Sequence, residues 1–523
     1  MQKLAYLSLC FAAAISLNAA DRPNIIFIMS DDHAAEAFGV YDSHLSGLDP
    51  TPNLDRLAAE GVLFENAFCN NSICTPSRAS IMTGQYPQTN GVLDLDGVLE
   101  PEKQYLPMEM KKLGYSTAMI GKWHLKSEPV KYDYYKVLPG QGLYFDPVFR
   151  EKGRGEWPDN VVESTGHSSD VITDITIDYL ENLDRSKPFF IMHHYKAPHD
   201  EFEFAPRYKD YLADVKVPEP ESLYSQKGFG SIATRGEEDS LRTVIGTSVS
   251  DRHERRNYTK NYVKEPGDMS TEEKTSQSYQ TYLKDYLRCV KGIDDNLGRL
   301  FDYLKAEGLW ENTIIIYTGD QGFMLGAHDL IDKRWMYEEA MRMPLIIHYP
   351  KELQTGVETD LIVNNTDFAP TMIDLAGGEV PDYMQGRSFA NTLKGLPEED
   401  WRTSTYYRYW MHMIHHWVPA HFGVRTKDYK LILYYGKNYV PEENWNDFYW
   451  GKQYEGYLGE TPVAWEFYDL RNDPNEMTNQ YGNPEYAAVI KELKAELERS
   501  RIELDETDEQ YPELQAIIEA NWQ

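Results

Sequence analysis

Five short, almost entirely apolar segments constrain the fold of this chain more than any other feature of its sequence. Each has three or four residues and is bounded by glycine, proline or charged residues, as expected for a strand that is covered on both faces. Helical patterns separate the segments, and alternation of strands with helices predicts an α/β fold with a mainly parallel sheet. The segments are residues 25–28, 117–120, 189–192, 314–317 and 345–347.

The sequence between and after these segments predicts a helix, an insertion and a second domain. Residues 51–58 predict a helix with Pro52 in its first turn and Gly61 after its end. Residues 207–280 are polar and charged, which favours a surface insertion and leaves open a loop that faces the substrate. The C-terminal part is rich in tyrosine and tryptophan and predicts a small antiparallel sheet followed by a terminal helix. The predicted domains are residues 21–394 and 395–523.

The first twenty residues have the features of a signal peptide. Lys3 supplies the positive start, an apolar run follows, and the small residues Ala19 and Ala20 precede polar sequence. The apolar run is too short to anchor the chain in a membrane. The sequence therefore predicts that residues 1–20 are removed and that the mature protein is periplasmic or secreted, without a membrane anchor.

Cysteine usage points to a special role for one thiol. Cys69, Cys74 and Cys289 follow the predicted leader. An odd number of cysteines without a paired metal-ligand spacing is a poor framework for disulfides or for zinc. At least one thiol then has no partner in an oxidising compartment.

The charge balance argues against one class of function. Acidic residues outnumber basic residues 84 to 52, which gives a formal net charge of −32. A nucleic-acid-binding protein would show a basic footprint instead. A polyanionic substrate has to be drawn into a local cationic pocket, because the field of the whole protein repels it.

Polar side chains follow four of the predicted strands at the point where each strand ends. They are Asp31 and Asp32 after the first, Lys122 and His124 after the second, His199 after the third, and Asp320 and Gln321 after the fourth. In open α/β sheets ligands bind beyond the carboxyl ends of the strands, so these side chains are expected to meet. The three aspartates and the glutamine form an oxygen-only set that suits Ca²⁺ or Mg²⁺ and disfavours zinc. A helix cap or a solvated turn is the alternative for such acidic residues.

The segment Cys74-Thr75-Pro76-Ser77-Arg78 predicts the start of a helix that ends at Gly84. A helix N-terminus favours a bound anion and activates a nucleophile at Cys74. Arg78, one turn further on, adds a fixed positive charge to the same place. The alternative is a buried structural cysteine that precedes a helix.

Six motifs, taken in order, resemble one enzyme family. They are Ser-Asp-Asp at 30–32, Cys-Thr-Pro-Ser-Arg at 74–78, Gly-Lys-Trp-His at 121–124, Ala-Pro-His at 197–199, Gly-Asp-Gln-Gly at 319–322 and Asp-Lys-Arg-Trp at 332–335. Together they resemble the type I, formylglycine-dependent sulfatases of the alkaline phosphatase superfamily, and among these the bacterial polysaccharide sulfatases. The resemblance implies that helices sandwich a large, mainly parallel sheet, with residues 21–394 as the catalytic domain and a smaller C-terminal α+β domain after it.

The resemblance also implies a mechanism. Cys74 is converted to formylglycine (3-oxoalanine) by a formylglycine-generating or an anaerobic sulfatase-maturing enzyme. One oxygen of the hydrated aldehyde attacks sulfur and displaces the alcohol, and the remaining hydroxyl then expels sulfate. The other implied roles are positioning of the nucleophile by Arg78 and Ca²⁺ (or Mg²⁺), sulfate binding by Lys122 and Lys333, acid catalysis by His199 and base catalysis by His124. Gln321 departs from the asparagine that is common at the fourth ligand position.

A cluster of rings in the C-terminal domain is the predicted substrate-binding wall, where aromatic rings stack on sugars and imidazoles bind hydroxyls. Its candidate ligand-binding residues are His412, His415, His416 and His421. The alternative is that the cluster packs the seam between the two domains.

The function predicted from these features is removal of sulfate from a sulfated polysaccharide or its oligosaccharides, of algal or glycosaminoglycan type. Two alternatives stay open from the sequence. One is a phosphonate monoester hydrolase or phosphodiesterase of the same superfamily, and the other is a glycan-binding protein with an unmodified Cys74.

Overall fold

The computed structural model describes residues 22–224, 227–441, 444 and 459–522. The predicted signal peptide, residues 1–20, lies outside the described residues. In the part of the chain that is described, no helix is both long and apolar enough to cross a membrane.

In the described ranges the strands form one large sheet, one four-stranded sheet and two small ones. The large sheet has ten strands in the order β14-β2-β13-β10-β1-β8-β4-β5-β6-β7, and the C-terminal sheet has the order β16-β17-β18-β19. The strands are β1 (Asn24–Asp31), β2 (Val62–Phe64), β3 (Ala67–Phe68), β4 (Ser116–Lys122), β5 (Tyr134–Leu138), β6 (Phe149–Glu151), β7 (Val161–Val162), β8 (Phe189–Pro198), β9 (Thr247–Ser248), β10 (Thr313–Gly319), β11 (Leu330–Ile331), β12 (Arg342–Met343), β13 (Leu345–His348), β14 (Val357–Thr359), β15 (Val363–Asn364), β16 (Ser404–Tyr409), β17 (His421–Thr426), β18 (Tyr429–Tyr434) and β19 (Ala464–Asp469).

The centre of the large sheet is parallel, as predicted. Strands β10, β1, β8, β4 and β5 run in one direction, with Ile26 of β1 paired to Ile315 on one side and to Ile191 on the other. Antiparallel pairs join β13 to β10 and to β2 on one side, and β6 to β5 and to β7 on the other. All five predicted strands are present, and the prediction of a mainly parallel sheet is confirmed.

Helices cover both faces of the large sheet. They are α1 (Pro52–Ala59), α2 (Cys74–Thr83), α3 (Pro87–Asn90), α4 (Tyr105–Lys112), α5 (Ser168–Glu181), α6 (Ile232–Arg235), α7 (Thr259–Tyr262), α8 (Thr271–Ala306), α9 (Glu338–Met341), α10 (Phe368–Leu375), α11 (Ala390–Leu393), α12 (Ala487–Glu503) and α13 (Pro512–Asn521). Alternate residues of β1 enter two cores: Phe27 packs with α2 and α10, and Ile28 packs with α5 and α8. This burial on both faces explains why the strand is apolar throughout.

The predicted insertion differs from expectation at its C-terminal end. Residues 271–280 begin the long helix α8, which Ser270 and Glu273 cap reciprocally. The polar sequence there forms the exposed side of an amphipathic helix, because Tyr279 and other apolar positions face the core. The prediction of a surface insertion is therefore wrong for residues 271–280.

The C-terminal part contains the four-stranded antiparallel sheet, against which α12 and α13 pack through Leu493, Leu497 and Ile518. This arrangement agrees with the predicted smaller α+β part of the fold. The domain boundary between residues 394 and 395 stays a prediction.

Candidate active site

The carboxyl ends of adjacent strands bring the predicted site residues to one edge of the large sheet. Asp31 is the last residue of β1 and Lys122 the last residue of β4. His199 directly follows β8, and Asp320 directly follows β10. Since β10, β1, β8 and β4 are neighbours in the sheet, these side chains converge as the strand-end argument predicts.

Cys74 is the first residue of α2 and is buried. Gly84, with a φ of 66°, ends this helix in the left-handed conformation that glycine adopts readily. The side chains whose potential ligand atoms all lie within 4.8 Å of one another are Asp31, Asp32, Cys74 and His199. A group carried on Cys74 therefore faces two carboxylates and an imidazole.

Arg78, one turn along α2, joins the carboxylates beneath Cys74. Its Nε and Nη2 lie 3.0 and 2.8 Å from Oδ2 of Asp320, and Nη2 lies 3.3 Å from Oδ1 of Asp31. Its Nη1 donates to the carbonyl oxygen of Lys122 at 2.7 Å. These charge-assisted hydrogen bonds fix the guanidinium in a buried position.

Two lysines complete the cationic side of the site. Lys122 pairs with Asp31 and lies 2.5 Å from Oε1 of Gln141. Lys333 Nζ lies 2.7 and 2.5 Å from the two carboxylate oxygens of Asp32. Both lysines are buried, so their charges are weakly screened by solvent.

The three carboxyl groups do not share one electrostatic environment. Burial disfavours the ionised form of Asp31, but the positive charges of Lys122 and His199 outweigh it and hold the pKa of Asp31 well below its usual value. Burial, reinforced by the charge of Asp31, raises the pKa of Asp320 to about 7. Burial also raises the pKa of Asp32. The cations thus stabilise the carboxylate of Asp31 more than the other two.

The arrangement of Asp320 and Gln321 fits a hard cation. The backbone N–H of Asp32 donates to Oδ1 of Asp320 at 3.0 Å, and Nε2 of Gln321 donates to Oδ1 of Asp32. Oε1 of Gln321 is buried and has no hydrogen-bond partner among the described residues. A buried amide oxygen without a partner is costly, and a cation bound by oxygen ligands would satisfy it. The residues present therefore fit a metal ion at this buried acidic cluster.

The two predicted catalytic histidines lie in different surroundings. His199 has its Nε2 3.8 Å from Oδ2 of Asp32 and its Nδ1 2.5 Å from Oδ1 of Asp200. Burial and Lys333 lower its pKa, but Asp200 and Asp32 outweigh them and raise it to about 9. His124 is partly buried, and desolvation with the nearby Lys122 charge lowers its pKa well below the usual value. His199 therefore favours the protonated form and His124 the neutral form.

A cavity of about 370 Å³ opens onto Cys74, and His199 and Lys333 also line it. Its other walls include Gln141, Tyr144, Lys196, Arg256, Arg334 and Asp332. Lys196 Nζ lies 4.6 Å from the ring centroid of Tyr144 and forms no ion pair with a carboxylate in the described part of the chain. Three more carboxylates, Asp200, Glu201 and Glu203, also line the cavity, so four lysine and arginine side chains stand beside four carboxylates. An anionic substrate therefore meets individual cations such as Lys196 and not a uniformly positive wall.

The structure divides the predicted histidine cluster in two. His415 and His416 line the cavity, where Nη2 of Arg334 lies 3.0 Å from Nδ1 of His415 and Nδ1 of His416 lies 2.8 Å from Oδ2 of Asp332. Arg256 Nη2 lies 3.1 Å from Nε2 of His416. This half of the cluster is in contact with the space that a substrate would occupy.

His412 and His421 do not line this cavity. His412 accepts a hydrogen bond from the backbone N–H of Ala420 at 3.1 Å. The ring of His421 lies 4.7 Å from that of Tyr434 and stacks on Tyr407 at 5.6 Å. Both are buried in packed surroundings, which is the alternative that the sequence left open for this cluster.

Several cavity residues were missed from the sequence, and the cations among them are Lys196, Arg256 and Arg334. Lys196 and Arg334 could have been found, since Lys196 lies three residues before His199 and Arg334 directly follows Lys333. Arg256 carries no such signal, because it ends a run of charged residues that is typical of a solvated surface.

A mainly parallel sheet covered on both faces, with strand ends that surround a helix-initiating cysteine with carboxylates and cations, defines an α/β enzyme for an anionic substrate. The chain belongs to the sulfatase family: the family model described as sulfatase matches residues 23–378. A second model, the C-terminal part of N-sulphoglucosamine sulphohydrolase, matches residues 326–448 and 457–503. The prediction of a sulfatase, an enzyme that hydrolyses sulfuric esters, is confirmed.

Relatives and solved structures agree with this assignment. An N-acetylglucosamine-6-O-sulfatase of Bacteroides thetaiotaomicron is 39% identical over 97% of this chain and 91% of its own. A protein solved in complex with its substrate, D-glucosamine-2-N,6-O-disulfate, is 38% identical, covers 93% of this chain and 99% of its own, and superposes with a TM-score of 0.79. A phosphonate monoester hydrolase of Agrobacterium radiobacter shares the fold at 19% identity, with a TM-score of 0.68 over 92% of this chain and 96% of its own.

Proposed function

We propose that this sulfatase removes the 6-O-sulfate from glucosamine units of a glycosaminoglycan-type glycan or of its oligosaccharides. The observation that carries the proposal is 39% identity over 97% of the chain to the N-acetylglucosamine-6-O-sulfatase. The complex with a glucosamine disulfate supports the same sugar. The cations Lys196, Arg256 and Arg334 around the cavity suit a sugar with more than one anionic group.

We also propose that Cys74 is converted to formylglycine and carries the reacting group. The hydrated aldehyde supplies an oxygen nucleophile and a second hydroxyl that later releases sulfate. Cys74 supports this role because it opens α2 and borders the cavity. By contrast, Cys69 is buried with its Sγ 3.4 Å from the carbonyl oxygen of Met341.

Three cations are proposed to hold the nucleophile and the sulfate. Arg78, fixed by Asp31 and Asp320, orients the group on Cys74. Lys122 and Lys333 turn their ammonium groups from the aspartates toward the sulfate oxygens and stabilise the charge that develops there. All three side chains are buried, so solvent screens their charges only weakly.

The histidines are proposed to move protons in opposite directions. His199, which favours the protonated form, gives its proton to the departing sugar oxygen as the S–O bond breaks. Asp200 keeps the ring oriented through Nδ1. His124 favours the neutral form and accepts the proton of the remaining hydroxyl when sulfate leaves.

Asp31, Asp32, Asp320 and Gln321 are proposed to hold Ca²⁺, with Mg²⁺ as the alternative. The four side chains offer only oxygen ligands, and the buried Oε1 of Gln321 lacks another partner among the described residues. A bound cation supplies positive charge next to the reacting sulfate. Calcium tolerates the irregular ligand set better than magnesium, which demands a regular octahedron.

Export and maturation complete the proposal. The sequence of residues 1–20 supports a cleaved signal peptide and a periplasmic or secreted enzyme. Formylglycine formation requires a formylglycine-generating or an anaerobic sulfatase-maturing enzyme as a partner. A sulfated glycan is the second proposed partner.

Sulfate release tests the proposal directly. The mature chain is produced together with a maturation enzyme and assayed with glucosamine derivatives sulfated at O3 or O6, at N, or at both N and O6. We expect turnover of the 6-O-sulfated sugars. A matched Cys74→Ala variant, which has neither a thiol nor a hydroxyl to oxidise to the aldehyde, is expected to lose at least about 10³-fold in turnover.

Two other results would overturn parts of this proposal. A preference for phosphonate monoesters or phosphodiesters over sulfate esters would replace the sulfated substrate. An intact mass that shows a plain thiol at Cys74 in fully active enzyme would remove formylglycine from the mechanism.

A further inference from the structure

A second cavity adjoins the one that opens onto Cys74. It also has a volume of about 370 Å³, and Asp200, Glu201 and Arg256 line both cavities. Most of its wall comes from residues 255–262, which belong to the polar segment that precedes α8. We call it the insertion cavity. The three shared residues place it next to the active-site cavity.

Cationic side chains dominate the wall that is not shared. Arg255 and Lys260 line the insertion cavity and are exposed, and Arg256 lies between the two cavities. Within the described ranges none of the three forms an ion pair with a carboxylate. Arg256 instead donates to the carbonyl oxygen of His415 at 3.0 Å, and Lys260 Nζ lies 2.5 Å from the carbonyl oxygen of Glu254.

The carboxylates of the shared wall do not cancel this charge. Asp200 is paired with His199 through a 2.5 Å contact. Glu201 is the remaining carboxylate of this wall, beside three cations that form no ion pair with a carboxylate among the described residues. The net local charge therefore favours an anion, in contrast to the net charge of −32 of the whole chain.

Ring and amide groups give the same wall a surface suited to a sugar. Tyr258 and Tyr262 line it with ring centroids 5.6 Å apart, and Asn257 and Asn261 add amide groups. The guanidinium of Arg255 lies 5.5 Å from the ring centroid of Trp417. Aromatic faces, amides and guanidinium groups together are the chemistry that binds a hydroxylated ring with an anionic substituent.

We propose that the insertion cavity binds the sugar next to the one that loses its sulfate, and that Arg255 and Lys260 bind an anionic substituent on that neighbour. This inference rests on the proposed function and names the larger substrate: an oligosaccharide with adjacent anionic sugars. Sulfate and carboxylate groups present the same acceptor oxygens, so either substituent meets the chemistry of the cavity.

Turnover of matched substrates tests the subsite. The wild type and an Arg255→Gln, Lys260→Gln double variant are assayed with a 6-O-sulfated glucosamine alone and linked to a neutral sugar, a uronic acid or a second sulfated sugar. For the wild type we expect kcat/KM about tenfold higher with an anionic neighbour than with a neutral one, as for one charge-assisted hydrogen bond. The double variant should lose this ratio and keep its rate on the monosaccharide.

Lys264→Gln is the matched control, because Lys264 is exposed in the same segment but lines neither cavity. Of the two substrates with an anionic neighbour, the one with the higher kcat/KM relative to the neutral neighbour identifies the preferred substituent. A wild-type ratio near one, or a double variant that loses equally on all four substrates, would overturn the subsite. Calorimetric binding of the same sugars to Cys74→Ala needs no turnover, so it tests the subsite separately from the proposed function.

Discussion

At the scale of single residues, His199 shows how neighbouring carboxylates determine the protonation state of a side chain. Its Nδ1 contacts Asp200. Its Nε2, 3.8 Å from Oδ2 of Asp32, is the ring nitrogen on the side of the reacting centre. A proton donor at this position is needed when the leaving group is a sugar alkoxide. It is needed much less when the leaving group is already a weak base.

The leaving group should therefore decide the effect of His199→Ala. We expect turnover of a glycan sulfate to fall by about 10²- to 10⁴-fold, and that of an activated aryl sulfate by much less. The measurement is kcat on both ester types, with His44→Ala as a control outside the active-site cavity. Equal losses on the two esters would exclude His199 as the general acid.

A second prediction at this scale concerns Glu339 and the dependence of stability on pH. Burial, together with the charges of Glu476 and Glu36, raises the pKa of Glu339 from 4.5 to about 8. The folded protein thus holds this proton more tightly than the unfolded chain does. Its contribution to the free energy of unfolding falls as the pH rises from about 4.5 to about 8.

Glu339→Gln removes the ionisable group and keeps the shape. The variant should have a higher Tm than the wild type at pH 8.5, by about 2 °C or more, and little advantage at pH 4.5. Thermal unfolding across this range measures the difference, with the exposed Glu492→Gln as a control. A Tm difference that does not change with pH would contradict the assigned shift.

The site residues at strand ends could be predicted from the sequence, whereas the site residues contributed by loops could not. Asp31 and Asp320 each come three residues after an apolar run, so the sequence pattern alone indicated that they meet at the sheet edge. Arg256 reaches the cavity through the path of a loop, and a charged run gives no information about that path. His412 and His415 look alike in the sequence, and only packing places one in the interior and the other at the cavity.

At the scale of elements, the approach of β4 to β8 depends on one glycine. Gly121 has a φ of 94°, and a Cβ atom at this position would lie 1.9 Å from the carbonyl oxygen of His194 in β8. The next residue is Lys122, whose ammonium group reaches Asp31. The close contact of the two strands therefore positions a proposed sulfate-binding lysine.

Gly121→Ala should separate these strands. We expect a loss of about 2 kcal/mol or more in the free energy of unfolding, and a fall in sulfatase turnover because Lys122 moves. Gly153→Ala is the matched control, since its φ is 84° but nothing lies within 4 Å of the added Cβ. If both variants lose the same stability, the strain comes from the backbone angle and not from contact with β8.

Apolar runs sufficed to predict the central strands, since each is buried on both faces. The direction of β13 could not be predicted in this way. Its apolar run resembles the parallel strands, yet it pairs with β10 in the antiparallel sense. The direction of a strand depends on the connection between it and the preceding strand, and the composition of the strand carries no information about that connection.

At the scale of the whole molecule, a bound cation would link segments that are far apart in the chain. Asp32 and Gln321 are separated by 289 positions and meet only in the folded protein. A ligand that binds only the folded state stabilises it by mass action. Calcium should therefore raise the stability of the entire fold and not only its activity.

Chelation tests this expectation. Calcium at about 100 times its Kd should stabilise the fold by about 2.7 kcal/mol, and removal with a chelator should lower Tm accordingly. Gln321→Ala, which removes the unpaired amide oxygen, should weaken the calcium response. Gln480→Ala, far from this cluster in sequence and in the C-terminal part, is the control. An unchanged calcium response in Gln321→Ala would remove that residue from the ligand set.

The order of strands in the large sheet also means that neighbouring strands are synthesised at different times. β1 is made early, but its neighbour β10 leaves the ribosome much later, since 288 positions separate Asp32 from Asp320. At ordinary translation rates that delay is roughly 15 to 60 s. Cys74 is buried in the finished fold. For the proposed conversion of Cys74 to formylglycine, this delay keeps the thiol accessible to the proposed maturation enzyme until β10 completes the centre of the sheet.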